Sequence, residues 1–86
     1  MHKAVFSRRA EKAFLDLPKN QAQRVKEAIE KLMEDPRTHG TIKLDNAPVG
    51  QYRYRVGDSR ILFDIDDKNQ VIEILDIRKR NERTYR

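Results

Sequence analysis

Residues 51–66, QYRYRVGDSRILFDID, alternate in hydropathy on either side of a Gly-Asp pair, and this alternation restricts the fold more than any other feature. Successive side chains of a strand point to opposite faces. Tyr52, Tyr54 and Val56 therefore share one face and Arg53 and Arg55 the other, while Ile61, Phe63 and Ile65 are separated in the same way from Arg60, Leu62 and Asp64. With Gly57-Asp58 as a two-residue hairpin loop and Gly at the position of positive φ, Val56 faces Ser59, Arg55 faces Arg60, Tyr54 faces Ile61 and Tyr52 faces Phe63. A slip of one residue would put cations among the apolar side chains, so the register is tightly specified. It also opposes Arg55 to Arg60, and like charges facing each other across an antiparallel pair destabilise it by up to about 1 kcal/mol. Either a neighbouring acid such as Asp58 or Asp64 offsets that repulsion, or an anionic ligand does.

The rest of the chain supplies layers for this hairpin. Residues 3–6, KAVF, read as a short strand. Ser7 is placed to N-cap a helix with Ala10, Ala13, Phe14 and Leu17 at helical spacing, ended by Pro18. Asn20 and Gln23 have the spacing of a capping box before a second, longer helix with an apolar stripe of Val25, Ala28, Ile29, Leu32 and Met33, stopped at Asp35-Pro36. Residues 36–50 carry two Pro and two Gly and read as a connection, with a short extended piece around Ile42–Leu44. Strands are expected at 51–56, 60–66 and 71–78. The expectation is one α+β domain over residues 1–86, a helical hairpin packed on a mainly antiparallel sheet of about four strands in the order β-α-α-β-β-β.

Composition narrows the function classes. An 86-residue chain has room for one modest core, which argues against a deep, enclosed cofactor pocket. There is no Cys for a disulfide framework or a thiolate metal site, and no spacing of His, Asp and Glu suggests a metal. No apolar run approaches a membrane span, and the first residues, MHKAVFSRRAEKAF, lack a signal-peptide core, so the expected location is cytoplasmic. The formal net charge is +5, which favours a polyanionic partner. Before residue 51 lysines outnumber arginines six to four, whereas afterwards arginines outnumber lysines seven to two. A guanidinium presents a fixed fork of donors matched to phosphate, so the second half has the composition of a phosphate-binding surface. The basic ending RKRNERTYR adds Tyr85, an aromatic able to stack on a base. His2 and His39 are isolated and read as surface residues, and Glu73 reads as a salt-bridge partner for the arginine face or as a carboxylate base.

The order strand, helical hairpin, YRYRVGDSRILFDI, turn, VIEILDI and the ending RKRNERTY resembles the RelE/ParE toxin superfamily of toxin-antitoxin systems, and within it the RelE-type mRNA interferases. The likeness covers almost the whole chain and is most specific in the YRxRVGDxR hairpin and the basic, Tyr-containing ending. It implies a toxin that enters the ribosomal A site and cuts mRNA there, with the mRNA's own 2′-hydroxyl as nucleophile and no metal or other cofactor. It also implies a cognate RelB-like antitoxin that masks the basic surface. Position by position, Arg53 and Arg55 match two basic active-site positions, Arg60 the arginine of the second hairpin strand, Arg80 (or Lys79, one residue away) the arginine after the last strand, and Tyr85 the terminal tyrosine. Arg53, Arg55, Arg78, Lys79 and Arg83 are the implied RNA contacts. Two departures stand out: RelE has lysines where this chain has Arg53 and Arg55, and many relatives have an aromatic where this chain has Ser59. The ParE branch, whose members poison DNA gyrase, implies a different activity, and a degenerate toxin kept for antitoxin binding is a third; Arg80 and Tyr85 favour the ribonuclease.

Overall fold

Ser7 marks the change from strand to helix. In the computed structural model, which describes residues 1–44 and 50–79, strand β1 (Lys3–Phe6) ends at Ser7 and helix α1 (Arg8–Leu15) begins. The Ser7 Oγ accepts from the Ala10 N–H at 3.0 Å and donates to the Leu75 carbonyl at 2.8 Å. One hydroxyl thus caps the helix and ties it to the last strand, β5 (Val71–Lys79). After Asp16 and Leu17 the chain turns at Pro18 into α2 (Lys19–Glu34).

The capping box expected at Asn20 and Gln23 does not form. Helix α2 starts two residues before its expected cap, at Pro18, whose carbonyl accepts from Ala22 N–H. Proline is suited to a helix start because its fixed φ is already helical and its missing N–H would be unpaired there. Asn20 and Gln23 lie inside the first turns, and the Gln23 amide bonds Glu27 instead. The apolar stripe is as expected: Val25, Ala28, Ile29 and Leu32 are buried, and Asp35 caps the helix before Pro36.

The sheet has five strands in the order β1-β5-β4-β3-β2, with β4 at Ser59–Asp66, β3 at Tyr52–Val56 and β2 at Ile42–Lys43. All pairs are antiparallel except β1 with β5. The fifth strand is the short extended piece before the hairpin, which pairs with β3 through Ile42–Arg53 and Lys43–Tyr52. The hairpin register is the one its sequence demands, Val56 to Ser59, Arg55 to Arg60, Tyr54 to Ile61 and Tyr52 to Phe63. Gly57 has φ +56 and Asp58 is not among the residues of positive φ, the pattern of a type II′ turn.

The core lies between the helices and one face of the sheet. Ile61, Phe63, Ile72, Ile74 and Ile77 meet Ala10, Val25, Ala28, Ile29 and Leu32 there. Tyr52 stacks on Phe63 at a centroid distance of 5.8 Å. The β4–β5 ladder contains one irregularity: Leu62 faces Asp76 but Phe63 faces Ile74, so Leu75 is an extra residue on β5. Among the described residues no helix is long and apolar enough to cross a membrane.

Away from the hairpin tip, the turn between β4 and β5 is held by its own acids. Asp66 accepts from the Asn69 side-chain amide and backbone N–H, and Asp67 receives a two-point contact from Arg37 at 3.0 and 3.2 Å. Both carboxyls are held below their ordinary range, Asp66 by the Asn69 side chain first and Asp67 by the Arg37 guanidinium first. A carboxyl with a depressed folded pKa contributes stability that is present above its unfolded pKa, about 3.9, and lost as pH falls through the folded value. Urea-unfolding midpoints measured from about pH 6 downward should therefore decline below about pH 4, and less steeply in Asp67→Asn. Ser7→Ala is expected to cost about 1–2 kcal/mol in the same assay at neutral pH through loss of the cap.

Candidate nucleic-acid interface

The face of the sheet turned away from the helices carries the charged side chains of the strands. Arg53 and Arg55 lie there because Tyr52, Tyr54 and Val56 occupy the other side of β3. Arg60 lies there because its neighbours Ser59 and Ile61 face the core side and are buried. Residues paired across a sheet share a face, so the register sets the site. Arg55 pairs with Arg60, and Arg60 in turn pairs with Arg78 of β5. Three guanidinium groups from three strands thus form one row across the sheet near the hairpin tip, a span of about 10 Å between the outer strands at ordinary strand spacing. The adjoining row is Arg53, Leu62 and Asp76, with Ile42 opposite Arg53 on the edge strand.

Arg78 reaches this row because of the extra residue at Leu75. In an unbroken alternation Asp76 and Arg78 would fall on the side of Ile72 and Ile74. The bulge advances the pattern by one, so that Ile77 enters the core and Asp76 and Arg78 turn outward. A two-then-three spacing of the isoleucines at 72, 74 and 77 is the sequence signal for it, and reading by simple alternation misses it.

Of the acids near the row, Asp64 is held by the backbone and Asp76 pairs with the row's outer member, Arg78. The Asp64 Oδ1 accepts from the Gln51 backbone N–H at 2.7 Å. Gly50 makes this approach possible: it has φ +73, and a Cβ there would stand 3.1 Å from the Phe63 nitrogen. Asp76, only 6% exposed, accepts from Arg78 Nε at 2.9 Å and from the Ile77 N–H at 2.8 Å. Asp58 makes no ion pair among the described residues, and neither do Arg53, Arg55 and Arg60. The Nε of Arg60 is buried without a hydrogen-bond partner among those residues. A buried donor left unpaired costs about 1–3 kcal/mol.

Other expected residues are placed as follows. Ser59 is 1% exposed and turned toward the helices, where its Oγ accepts from the Gln21 side-chain amide at 2.8 Å. The position that is aromatic in many relatives is thus filled here by a polar tie between hairpin and helix, on the side opposite the arginines. His2 lies at the far end of the sheet, 3.5 Å from Asp67, and His39 is exposed in the connection between α2 and β2. Glu73 is exposed opposite Asp64, on the outer face but beyond the arginine rows. Lys79 ends β5 opposite Ser59. Arg80, Arg83 and Tyr85 lie outside the described residues. Among those residues no three His, Asp or Glu side chains gather as a metal site. Arg9 and Asp76 were not singled out from the sequence; nothing short of the bulge and the packing of α1 beside β5 brings them together.

Known proteins of this shape agree on one family. The family model described as the ParE toxin of type II toxin-antitoxin systems, parDE, matches residues 4–84. Among solved structures, the RelE–RelB complex of the archaeon Pyrococcus horikoshii is 29% identical, covering 92% of this chain and 94% of that one with a TM-score of 0.78. The RelBE2 toxin-antitoxin complex of Mycobacterium tuberculosis is 26% identical over 92% and 98% of the two chains, with a TM-score of 0.80. The intact RelBE complex of E. coli, at 21% identity over 92% and 96% and a TM-score of 0.78, shares the fold. No curated protein sequence matches the chain.

The opposed pair makes its own test. Arg55→Thr removes one of two facing cations and adds a strand-favouring side chain, so it is expected to raise stability by up to about 1 kcal/mol at low salt. The gain should shrink in about 1 M salt, where charges are screened within about 3 Å.

Proposed function

The chain belongs to the RelE/ParE superfamily of type II toxins, and from that membership and its outward arginine row we propose that it is a ribosome-dependent endoribonuclease that cuts mRNA in the A site and so inhibits translation. The observation that carries this reading is the row of Arg55, Arg60 and Arg78 with Arg53 beside it, cations set side by side at a cost in stability, of which Arg53, Arg55 and Arg60 have no carboxylate partner among the described residues. Such an arrangement suits a ligand with several negative charges. Likeness to RelE toxins crystallised with RelB antitoxins supports a RelB-like antitoxin as the resident partner.

The reaction asks three things of the site. The 2′-hydroxyl must lose its proton as its oxygen attacks the adjacent phosphorus, the extra negative charge on the pentavalent phosphate must be held, and the departing 5′-oxygen must gain a proton. Arg60, with Arg55 beside it, is suited to the second task, since a guanidinium stays charged and grips two oxygens at once. A guanidinium grips phosphate as a fixed fork and is a poor proton donor, so Arg53 and Arg55 serve charge stabilisation better than proton transfer. By the family resemblance Arg80 adds a further phosphate contact, and Tyr85 is the candidate for proton exchange. By the same resemblance Arg78, Lys79 and Arg83 are RNA contacts, although Lys79, paired with Ser59, belongs to the face opposite the arginine row.

The ParE name of the matching family model favours a second reading, a toxin that poisons DNA gyrase and leaves mRNA intact. Primer-extension mapping of a translated mRNA, with and without ribosomes, separates the two. The ribonuclease reading expects cuts inside the A-site codon that need ribosomes, fall about a hundredfold in rate in Arg60→Ala and disappear in Tyr85→Phe. Intact mRNA accompanied by gyrase-dependent DNA breaks would establish the ParE reading instead.

A further inference from the structure

Asp76 is a nearly buried carboxylate for which the proposed reaction has no use. Its Oδ2 accepts from Arg78 Nε at 2.9 Å and lies 3.8 Å from Arg9 Nη1 of α1, and its Oδ1 takes the Ile77 N–H. These groups line a groove of about 490 Å³ between α1 and the end of β5, together with Asp16, Lys79 and the apolar surface of Ala13 and Leu17. The groove begins where the arginine row ends, because Arg78 is the row's outer member.

We infer that this groove is a second phosphate-binding subsite for the RNA strand, formed by Arg78 and Arg9 and set in place by Asp76 as a positioning residue. The inference rests on the RNA reading of the outer face and adds to it Arg9 as a second phosphate contact and Asp76 as the residue that positions Arg78. An arginine whose Nε is held by a carboxylate keeps both Nη groups for a second acceptor, and its long side chain has already lost its rotational freedom. Arg78 is in that state and remains 43% exposed at its side chain. Arg9, 69% exposed, shares the same carboxylate oxygen from the opposite wall. Three cations, Arg9, Arg78 and Lys79, line the groove against two carboxylates, Asp16 and Asp76, so it is net positive. A strand whose reacting phosphate sits on Arg55 and Arg60 would reach it with the next phosphate along the row.

The test turns on a sign. Removing a negative charge from a nucleic-acid-binding surface ordinarily strengthens binding, whereas loss of a positioning carboxylate weakens it. Binding of a 2′-O-methyl RNA oligonucleotide, which lacks the attacking hydroxyl, is measured by fluorescence anisotropy across a salt series, with circular dichroism confirming that each variant is folded. Asp76→Asn is expected to bind on the order of tenfold more weakly, although it is one charge more positive. Arg78→Gln, an exposed change, is expected to lose as much and to reduce the slope of log affinity against log salt by about 0.7, one phosphate contact on a single strand. The double variant should be no weaker than Arg78→Gln alone. Equal or tighter binding by Asp76→Asn, or an unchanged slope in Arg78→Gln, overturns the subsite while leaving the RNA reading intact, provided that Arg60→Ala still weakens binding. No binding by the native protein overturns the subsite, while the ribosome-dependent reading stands or falls separately on the primer-extension assay.

Discussion

Ile74 and Ile77 both enter the core although they are three residues apart on one strand, and the outer face of the sheet depends on how the ladder absorbs that spacing. Burying an isoleucine is worth about 1.5–3 kcal/mol. A ladder hydrogen bond is worth about 0.5–1.5 kcal/mol net. Burial wins, and Leu75 is left as the extra residue. The same step turns Asp76 and Arg78 outward and sets Arg78 beside Arg60, so a packing requirement on one face decides the electrostatics of the other.

Placing Arg55, Arg60 and Arg78 in one row opposes like charges twice. The repulsion, up to about 1 kcal/mol per opposed pair, is tolerable for a domain whose hairpin is locked from beneath by Tyr52 on Phe63, Tyr54 opposite Ile61 and the Gln21–Ser59 bond. It would be smaller if Asp64 turned to the arginines, but Asp64 holds the Gln51 N–H, where Gly50 lets the chain lie against β4. Asp76 pairs with Arg78 and Arg9 and accepts from the Ile77 N–H. Arg55 and Arg60 are therefore left with no carboxylate partner among the described residues. On the proposed reading these cations would stabilise the negative charge that develops on the phosphate in the transition state.

Much of this was legible in the amino-acid order because it was over-determined. The hairpin register follows from alternation and from one Gly-Asp turn, and any slip spoils both faces, so Arg53, Arg55 and Arg60 could be assigned to a common face. Ser7 was legible as a cap because a hydroxyl preceding a helical apolar pattern has few other uses. What failed had competing local solutions. Asn20 and Gln23 match a capping box, but Pro18 offers an equally good helix start two residues earlier. The piece at Ile42–Lys43 is too short to count as a strand until β3 gives it a partner. VIEILDIRK contains apolar residues in both phases, so the bulge, and with it the place of Arg78 and Asp76, emerges only when β5 is laid against β4. Ser59 departs from the aromatic found in many relatives, yet its environment is a matter of tertiary packing against Gln21.

On the proposed reading Arg55 and Arg60, which have no carboxylate partner among the described residues, and Arg78, whose Nη groups are left for a second acceptor, grip RNA phosphate. The most direct test is to follow the arginine Nε–H signals by NMR while a 2′-O-methyl RNA oligonucleotide is titrated in. On this account the signals of Arg55, Arg60 and Arg78 shift together, saturate at one RNA concentration and exchange more slowly with water, with Arg60, whose Nε lacks a partner among the described residues, changing most. Shifts confined to arginines away from the row, such as Arg8 on α1 and Arg37 beside Asp67, with Arg60 unmoved at saturation, would contradict it.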